Sequence, residues 1–574
     1  MKKTLLSLAC VLLGGTMAYA QETAEVGHVY QGVTYNNCSP NGKWLVANQE
    51  TSVYIYDVAT GTNYDFADET YTKVYFAGYG HSVTDNGMVC GMAQESAESN
   101  AAYFKDGAWV VLPQLSGKLT GFNSANACTP DGSVICGSLG SDGADMSTSD
   151  RLMLYPVVWT LNADRVYVCQ ELPHPTKDFT GRAPQYVTAM DISADGNTIV
   201  GQMVDYSGFY IVPILYTRNA EGAWSYQLLA EDQVYDKEKA ANLPEWVEQP
   251  VQPKAEDYMS PADVDAYNAA VEKYNEAYQR YLAGDIKAED LPAYPDKEFY
   301  ISDEAKAAAY AAAVAKYKED NAAWYAAFEA FDEALTEVTT GKSFVFNSIH
   351  ITPNGKYILT DLNEPDPDPD PMAWFPESIY TNCVFDLTKV DTPMLTTSSN
   401  MLSTGILDNG FFVVAAPKSD YARSSYVATP GSNHLTPIAD WCKASGNTAA
   451  GEYINSEMRF EAINYVWNED NEMYDEVTVG DSLITGTGIF SADGKTFVTW
   501  LQDPGTNEYV TYTVNLENSV LNGIQSVKHS ATEQNVLRRE YYNVQGQRIA
   551  APIQGVYFEK IITADGAITK KHLK

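Results

Sequence analysis

Thr129-Pro130-Asp131-Gly132-Ser133-Val134-Ile135-Cys136 holds a phrase that recurs along this chain. A small or polar residue, Pro or Ala, Asp or Asn, and Gly lead into a β-rich apolar run. Asp-Gly and Asn-Gly tolerate the positive φ of a tight hairpin, and apolar strands on both sides make the hairpin reading strong. The phrase returns as Ser39-Pro40-Asn41-Gly42 before Trp44-Leu45-Val46, and as Ser193-Ala194-Asp195-Gly196 before Ile199-Val200. It returns again as Thr352-Pro353-Asn354-Gly355 before Tyr357-Ile358-Leu359, and as Ser491-Ala492-Asp493-Gly494 before Phe497-Val498. Looser copies, Thr84-Asp85-Asn86-Gly87 and Leu407-Asp408-Asn409-Gly410, bring the count to seven.

A second hairpin follows several copies, as in Val53-Tyr54-Ile55-Tyr56-Asp57 before Thr60-Gly61, or Ala102-Tyr103-Phe104 before Asp106-Gly107. Two hairpins per repeat make four strands, which is one blade of a β-propeller. Gly42, Gly87 and Gly132 stand 45 residues apart, a spacing typical of four-stranded blades. The expected fold is therefore mainly β, a propeller of seven blades. Irregular spacing after Gly132 leaves six or eight as alternatives. The repeat resembles bacterial WD-like and TolB-like propeller repeats over residues 28–230 and 343–517. That resemblance implies a fold and not an activity. Trp109, Trp159 and Trp224, at matching places in the repeats, are expected to be blade core.

Gly196 to Gly355 is too long for one blade. Residues 231–342 carry 25 acidic and 11 basic side chains, with abundant Ala and Tyr. Tyr267, Val271, Tyr274, Tyr278 and Tyr281 follow a 4, 3, 4, 3 spacing. Tyr310, Val314, Tyr317, Asn321, Trp324, Phe328, Phe331 and Leu335 keep it up. This is the seam of a coiled coil, and the expectation is an inserted antiparallel helical hairpin. Ser260-Pro261 and Ser302 should start its helices; Gly284 and Gly341 should stop them. Such an arm adds nothing to propeller closure, so a protein partner is its expected use.

Composition sets the remaining bounds. The 574 residues carry a formal charge of −38, and the mean hydropathy is −0.27. This acidity argues against nucleic acid as a partner. Lys2 and Lys3, the apolar run Leu5–Leu13 and Ala18-Tyr19-Ala20 form an export signal, with cleavage expected between Ala20 and Gln21. Lipidation at Cys10 is the lesser alternative. Cleavage at Ala20 removes two lysines and no acid, which makes the charge −40. No stretch is long enough for a transmembrane helix. Seven cysteines remain, an odd number; Cys128 and Cys136 flank a turn, but buried thiols are the favoured reading.

The domain reading is a signal peptide at 1–20, propeller at 21–230 and 343–517, the helical insertion at 231–342, and a small C-terminal β domain at 518–574. Residues 528–574 carry eight basic and four acidic side chains. Tyr541-Tyr542-Asn543-Val544-Gln545-Gly546, Gly555-Val556-Tyr557-Phe558 and the basic end Lys570-Lys571-His572-Leu573-Lys574 resemble the C-terminal sorting domains of type IX secretion cargo. The resemblance implies delivery to, or anchoring at, the cell surface.

No motif nominates a catalytic residue, a metal or a cofactor. There is no G-x-S-x-G, H-E-x-x-H or G-x-G-x-x-G. Gly494-Lys495-Thr496 has Ile489 where a phosphate loop needs Gly, and it lies between strands. The histidines are scattered: His28, His81, His174, His350, His434, His529 and His572. The run Glu364–Pro371 alternates acid with proline, which holds it extended, so a stiff solvated loop is expected rather than a calcium site. Asp481-Ser482-Leu483 fits a short O-glycosylation acceptor pattern at near chance level. The functional expectation is an exported, non-enzymatic binding protein of the cell surface or periplasm, with a protein or glycan ligand. A glycan-active hydrolase or lyase on the same scaffold, or an envelope scaffold, is the alternative.

Overall fold

The computed structural model describes residues 26–521 except 50, 67–69, 77–80, 96–97, 116–122, 141–152, 367–377, 416–424, 459–462, 469–472, 479–486 and 503–508, together with strands between 536 and 573. The Ala20–Gln21 junction, Cys10, Pro367–Pro371 and Asp481–Leu483 lie outside these residues.

The chain is mainly β. Seven antiparallel four-stranded sheets follow one another among the described residues. Their first strands are Asn37–Cys38, Lys73–Phe76, Ser124–Cys128, Tyr186–Ile192, Ser343–Ile351, Leu402–Ile406 and Thr487–Phe490, and we number the sheets 1 to 7 in that order. Sheets 3 and 4 touch through a single parallel pair, Leu154 with Tyr186. Sheet 7 is completed from the other end of the chain: Gly27–Gln31 pairs with Tyr509–Asn515, setting Gly27 opposite Val514.

The recurrent phrase forms the turn out of the first strand in sheets 1 and 3 to 7. All seven of its glycines have φ between 67° and 86°, a region that side-chain-bearing residues rarely enter. The hydroxyl before the glycine closes the turn. Ser193 Oγ donates to Asp195 Oδ1 at 2.6 Å and accepts from Thr198 N at 3.1 Å. Thr129 does the same with Asp131 and Val134 N, and Ser39, Thr352 and Ser491 repeat the pattern. Burial works against charge on Asp131 and Asp195, but these hydrogen bonds outweigh it and hold both carboxyls below their ordinary range. Leu407 has no hydroxyl, and its turn relies on the Gly410 N to Leu407 O bond of 2.8 Å.

Neighbouring turns are tied to each other. Asn41 N donates to Asp85 Oδ1 at 2.9 Å, Asp85 N to Pro130 O, Ala194 N to Pro353 O, and Asn354 N to Asp408 Oδ1. Asp493 N reaches Pro40 O at 3.1 Å, which links sheet 7 to sheet 1. Deeper in, Asn48 clamps Phe76 of sheet 2 by both its amide groups, and Gln202 does the same to Val345 and Asn347 of sheet 5. Each clamp satisfies backbone groups that would otherwise be buried unpaired.

Apolar residues alternate along the strands and meet between the sheets. The largest cluster joins sheets 3, 4 and 5 around Val158, Ile199, Ile214, Tyr216, Phe344 and Phe385. Trp109 and Trp159 are buried, with Trp159 Nε1 donating to Pro113 O at 2.7 Å, while Trp224 packs at the margin of that cluster. The seven cysteines among the described residues are free thiols. Register sets Cys128 opposite Ile135 and Cys136 opposite Ala127, so the two thiols do not face each other across the hairpin. Burial pushes Cys38 and Cys442 up to about 12.

The spacing of 84 residues between Gly410 and Gly494 also has a cause. Two short helices, Ile438–Ala444 and Thr448–Glu457, and a hairpin of Ile463–Asn468 with Met473–Thr478 stand between sheets 6 and 7. At the C-terminus, strands 536–573 form a separate four-stranded antiparallel sheet.

Candidate functional site: a cavity among the first strands and a helical arm

A cavity of about 350 Å³ opens among the first strands. Residues two places before the turn's Ser, Thr or Leu stand in equivalent positions around the sheets: Asn37, Ser82, Ala127, Asp191, His350, Gly405 and Ile489. Five of them line the cavity, together with His81, Asn36, Asn347 and Trp500.

Asp191 is the centre of its polar side. It is fully buried, and Oδ1 accepts from His81 N at 3.0 Å and Ile192 N at 2.9 Å. Oδ2 accepts from Ile351 N at 2.9 Å, and His81 Nδ1 lies 2.9 Å from Oδ1. One carboxylate thus joins sheets 2, 4 and 5. Desolvation opposes charge on His81, but the Asp191 carboxylate overrides it and raises the imidazole above its ordinary value. Desolvation likewise pushes Asp191 up, and the His81 charge and hydrogen bond bring it below its ordinary value. Burial wins at His350, which is lowered despite the same carboxylate. The same carboxylate thus shifts the two histidines in opposite directions, His81 up through its direct contact and His350 down through burial.

Asn347 is placed by strain. It sits at φ 62° where the first strand of sheet 5 shifts register between Phe344 and Ile349, and Gln202 Oε1 accepts its N–H at 2.8 Å. Such a conformation persists when the surroundings over-determine it. Behind the cavity, buried Asp361 accepts from Ser348 Oγ, Asn382 Nδ2, and both N and Oγ of Ser403. Burial raises it in spite of these four bonds.

The second candidate is the arm between sheets 4 and 5. Its helices run over Pro261–Leu282 and Glu304–Val338. At 1.5 Å per residue the longer, of 35 residues, reaches about 52 Å. Ser260 caps the first with a capping box to Asp263, whose carboxylate also accepts from Ser302 N. Hydrogen bonds from Ser302 and Ser260 bring Asp263 down to about 2. Asp303, one residue after the expected Ser302, caps the second helix.

The aromatic seam packs differently from a two-helix hairpin. Tyr267 and Tyr274 meet Tyr300 and Tyr294 of the connection, at ring distances of 5.6 and 5.0 Å. On the long helix, Tyr310 meets Tyr258, Phe328 and Phe331 meet Trp246, and Trp324 Nε1 donates to Val247 O. These ring contacts set each helix against short 3-10 turns and irregular chain rather than against the other helix. A 4-3 apolar spacing demands only that the face be covered. The Pro-containing segments 244–258 and 283–303 carry the aromatic residues that cover it.

The arm's base is fastened to the body. The Arg182 guanidinium lies 4.0 Å from the Tyr206 ring, 4.1 Å from Trp246 and 5.3 Å from Phe331. Asp178 fixes that loop by accepting from Thr180 N and Oγ1, Arg182 N and Tyr206 N. Both ends of the insertion also pair, Tyr235 bridging Thr339. Away from the base the arm exposes apolar surface. Ten of the 22 exposed large apolar side chains among the described residues belong to it, led by Val251, Phe299, Leu282 and Tyr294.

The cavity was hard to find in the sequence because His81, Asp191 and His350 are about 110 and 160 residues apart. The signal was the register: five of the lining residues stand just before a turn phrase, not after it. No helix among the described residues is long and apolar enough to cross a membrane.

No protein-family model matches the chain, and no curated protein does. Solved structures do share likeness. A TolB-type protein of Agrobacterium tumefaciens is 14% identical over 34% of this chain and 78% of its own, with a TM-score of 0.19. The tricorn protease is 10% identical, over 92% of this chain and 46% of its own, at 0.31. The β-propeller domain of the Trilobed protease from Pyrococcus furiosus is 6% identical over 87% and 97%, also at 0.31. Likeness at this level carries no function across.

Proposed function

We propose that this is an exported, closed seven-bladed β-propeller that acts by binding, and that it engages a protein partner through the arm. The concentration of exposed aromatic and aliphatic side chains on an arm whose base is clamped by Arg182 carries the reading. Large apolar groups outside a core mark interaction surfaces when they cluster. Residues 231–342 carry 14 more acids than bases, so the partner is a protein with an apolar recess ringed by Lys and Arg. Closure of the ring is supported by the strand Gly27–Gln31 in sheet 7 and by the Asp493 to Pro40 bond.

A hydrolytic reading would call for two carboxylates at a sugar bond. In the described lining of the axial cavity, Asp191 is the carboxylate, and its oxygens are engaged by three backbone amides and His81. Residues 1–20, with cleavage at Ala20–Gln21, would direct export, and the basic tail 528–574 would serve sorting or retention. Deleting 245–340 tests the arm: the partner complex should be lost while the body still unfolds cooperatively. Retention of every interaction would refute the reading. Protease cleavage of the arm on intact cells would place the protein at the surface. Cleavage only after lysis would place it in the periplasm.

A further inference from the structure

The axial cavity has two unlike walls. Ile406, Ile489, Phe490 and Trp500 form the apolar one, contributed by sheets 6 and 7; the hydroxyls of Ser403 and Thr404 beside them donate to Asp361 and to Gly488 O. Asn36, Asn347, His81 and His350 form the polar one, from sheets 1, 2 and 5. The side-chain amides of Asn36 and Asn347 and the ring of His350 have no hydrogen-bond partner among the described residues. His81 spends Nδ1 on Asp191 and remains 24% exposed.

Charge narrows the ligand. The Asp191 carboxylate is paired with His81 Nδ1 at 2.9 Å, and the described lining holds no Lys, Arg or Glu. An ionised ligand would enter a confined space without a counter-ion, at a desolvation cost. Each amide on the polar wall both donates and accepts, and so does a neutral imidazole. Hydroxyl groups have the same dual capacity. A ligand matched to both walls therefore carries hydroxyls on one side and a C–H face on the other. The volume is at the small end of the range for ligand pockets.

We infer that the axial cavity is a binding site for a neutral carbohydrate unit of one or two rings, its hydroxyls bonded by Asn36, Asn347 and His350 and its C–H face laid against Trp500 and Phe490. This goes beyond the arm and does not depend on it: a protein partner could bind the arm with the cavity empty.

The test is saturation-transfer NMR and calorimetry on the mature full-length protein. The probes are glucose, galactose, mannose, N-acetylglucosamine, maltose and cellobiose, with glucuronate and glucosamine as charged counterparts. At least one neutral sugar should bind in the millimolar range or tighter, and its charged counterparts at least tenfold more weakly. Asn347→Leu and Trp500→Leu should each weaken that sugar at least tenfold, with folding checked by thermal melting. Asn36→Leu lies at the exposed rim, where folding is not at stake, and should weaken it severalfold. It decides the matter if the deeper variants fail to fold. The inference is overturned if no neutral sugar binds at 20 mM, if the charged sugars bind as well, or if binding survives Asn36→Leu unchanged.

Discussion

The cavity and the arm both gather polar and aromatic residues, yet they are built by opposite rules. Around the cavity, five positions are set by a repeat: the turn phrase fixes the strand, the strand fixes the register, and the register brings those residues to the lining. The residue types differ from sheet to sheet, from Asp191 and His350 to Gly405 and Ile489, and Asp191 among them also ties backbone amides of three sheets. On the arm there is no repeat. Helical periodicity marks a face, and whichever chain lies nearby covers it, here Trp246 and Tyr258 or Tyr294 and Tyr300. Function in the body is thus a matter of substitution on a fixed frame. In the arm it is a matter of what is left uncovered.

The contrast can be tested by substitutions ordered by their expected cost. Asp191→Ala should be the most damaging, at about 3–5 kcal/mol, because it strands the backbone amides of His81, Ile192 and Ile351 and the His81 ring; chemical denaturation measures it. Phe331→Ala, at the buried base of the arm, should cost about 3 kcal/mol and should also expose the arm to protease. If the arm loosens without any loss of global stability, the base is a separate cooperative unit. Ser193→Ala should cost about 1 kcal/mol through its turn hydrogen bonds, whereas Leu407→Ala removes no turn bond.

The pH dependence of Asp191→Asn sharpens the cavity's side of the comparison. Folded His81 keeps its proton above the ordinary value of 6.5, so its contribution is full below 6.5 and fades as pH rises through its raised value. Asp191 contributes fully above 3.8 and loses its contribution as pH falls through its lowered value. The stability gap between the wild type and Asp191→Asn should be widest between those two values and narrow on either side. A gap flat from pH 3 to 9 would show that the pair carries no linked charge. The smallest effect on stability belongs to Phe299→Ser, within about 0.5 kcal/mol because the ring is 80% exposed, and yet it should weaken the partner complex.

Much of the body could be read from the sequence because the turn phrase announces itself by local chemistry. Gly42, Gly87 and Gly132 mark hairpins whatever lies around them. The long helix was equally plain, ending at Val338 near the expected stop. What stayed hidden was non-local. Asp191 meets His81 and Ile351 through packing between sheets 2, 4 and 5 that no spacing encodes. The aromatic seam gave the covered face of each arm helix, but its periodicity could not say whether helix or irregular chain would cover it. The insertion of two helices and a hairpin before sheet 7 was concealed in irregular spacing.

The most direct test of the arm's role is site-specific photocrosslinking in cells, comparing Phe299 on the arm with Phe209 on the body, both strongly exposed. The account predicts a discrete protein adduct from position 299, diminished by high salt and absent from position 209. An adduct from 209 alone, or the same products from both positions, would contradict it.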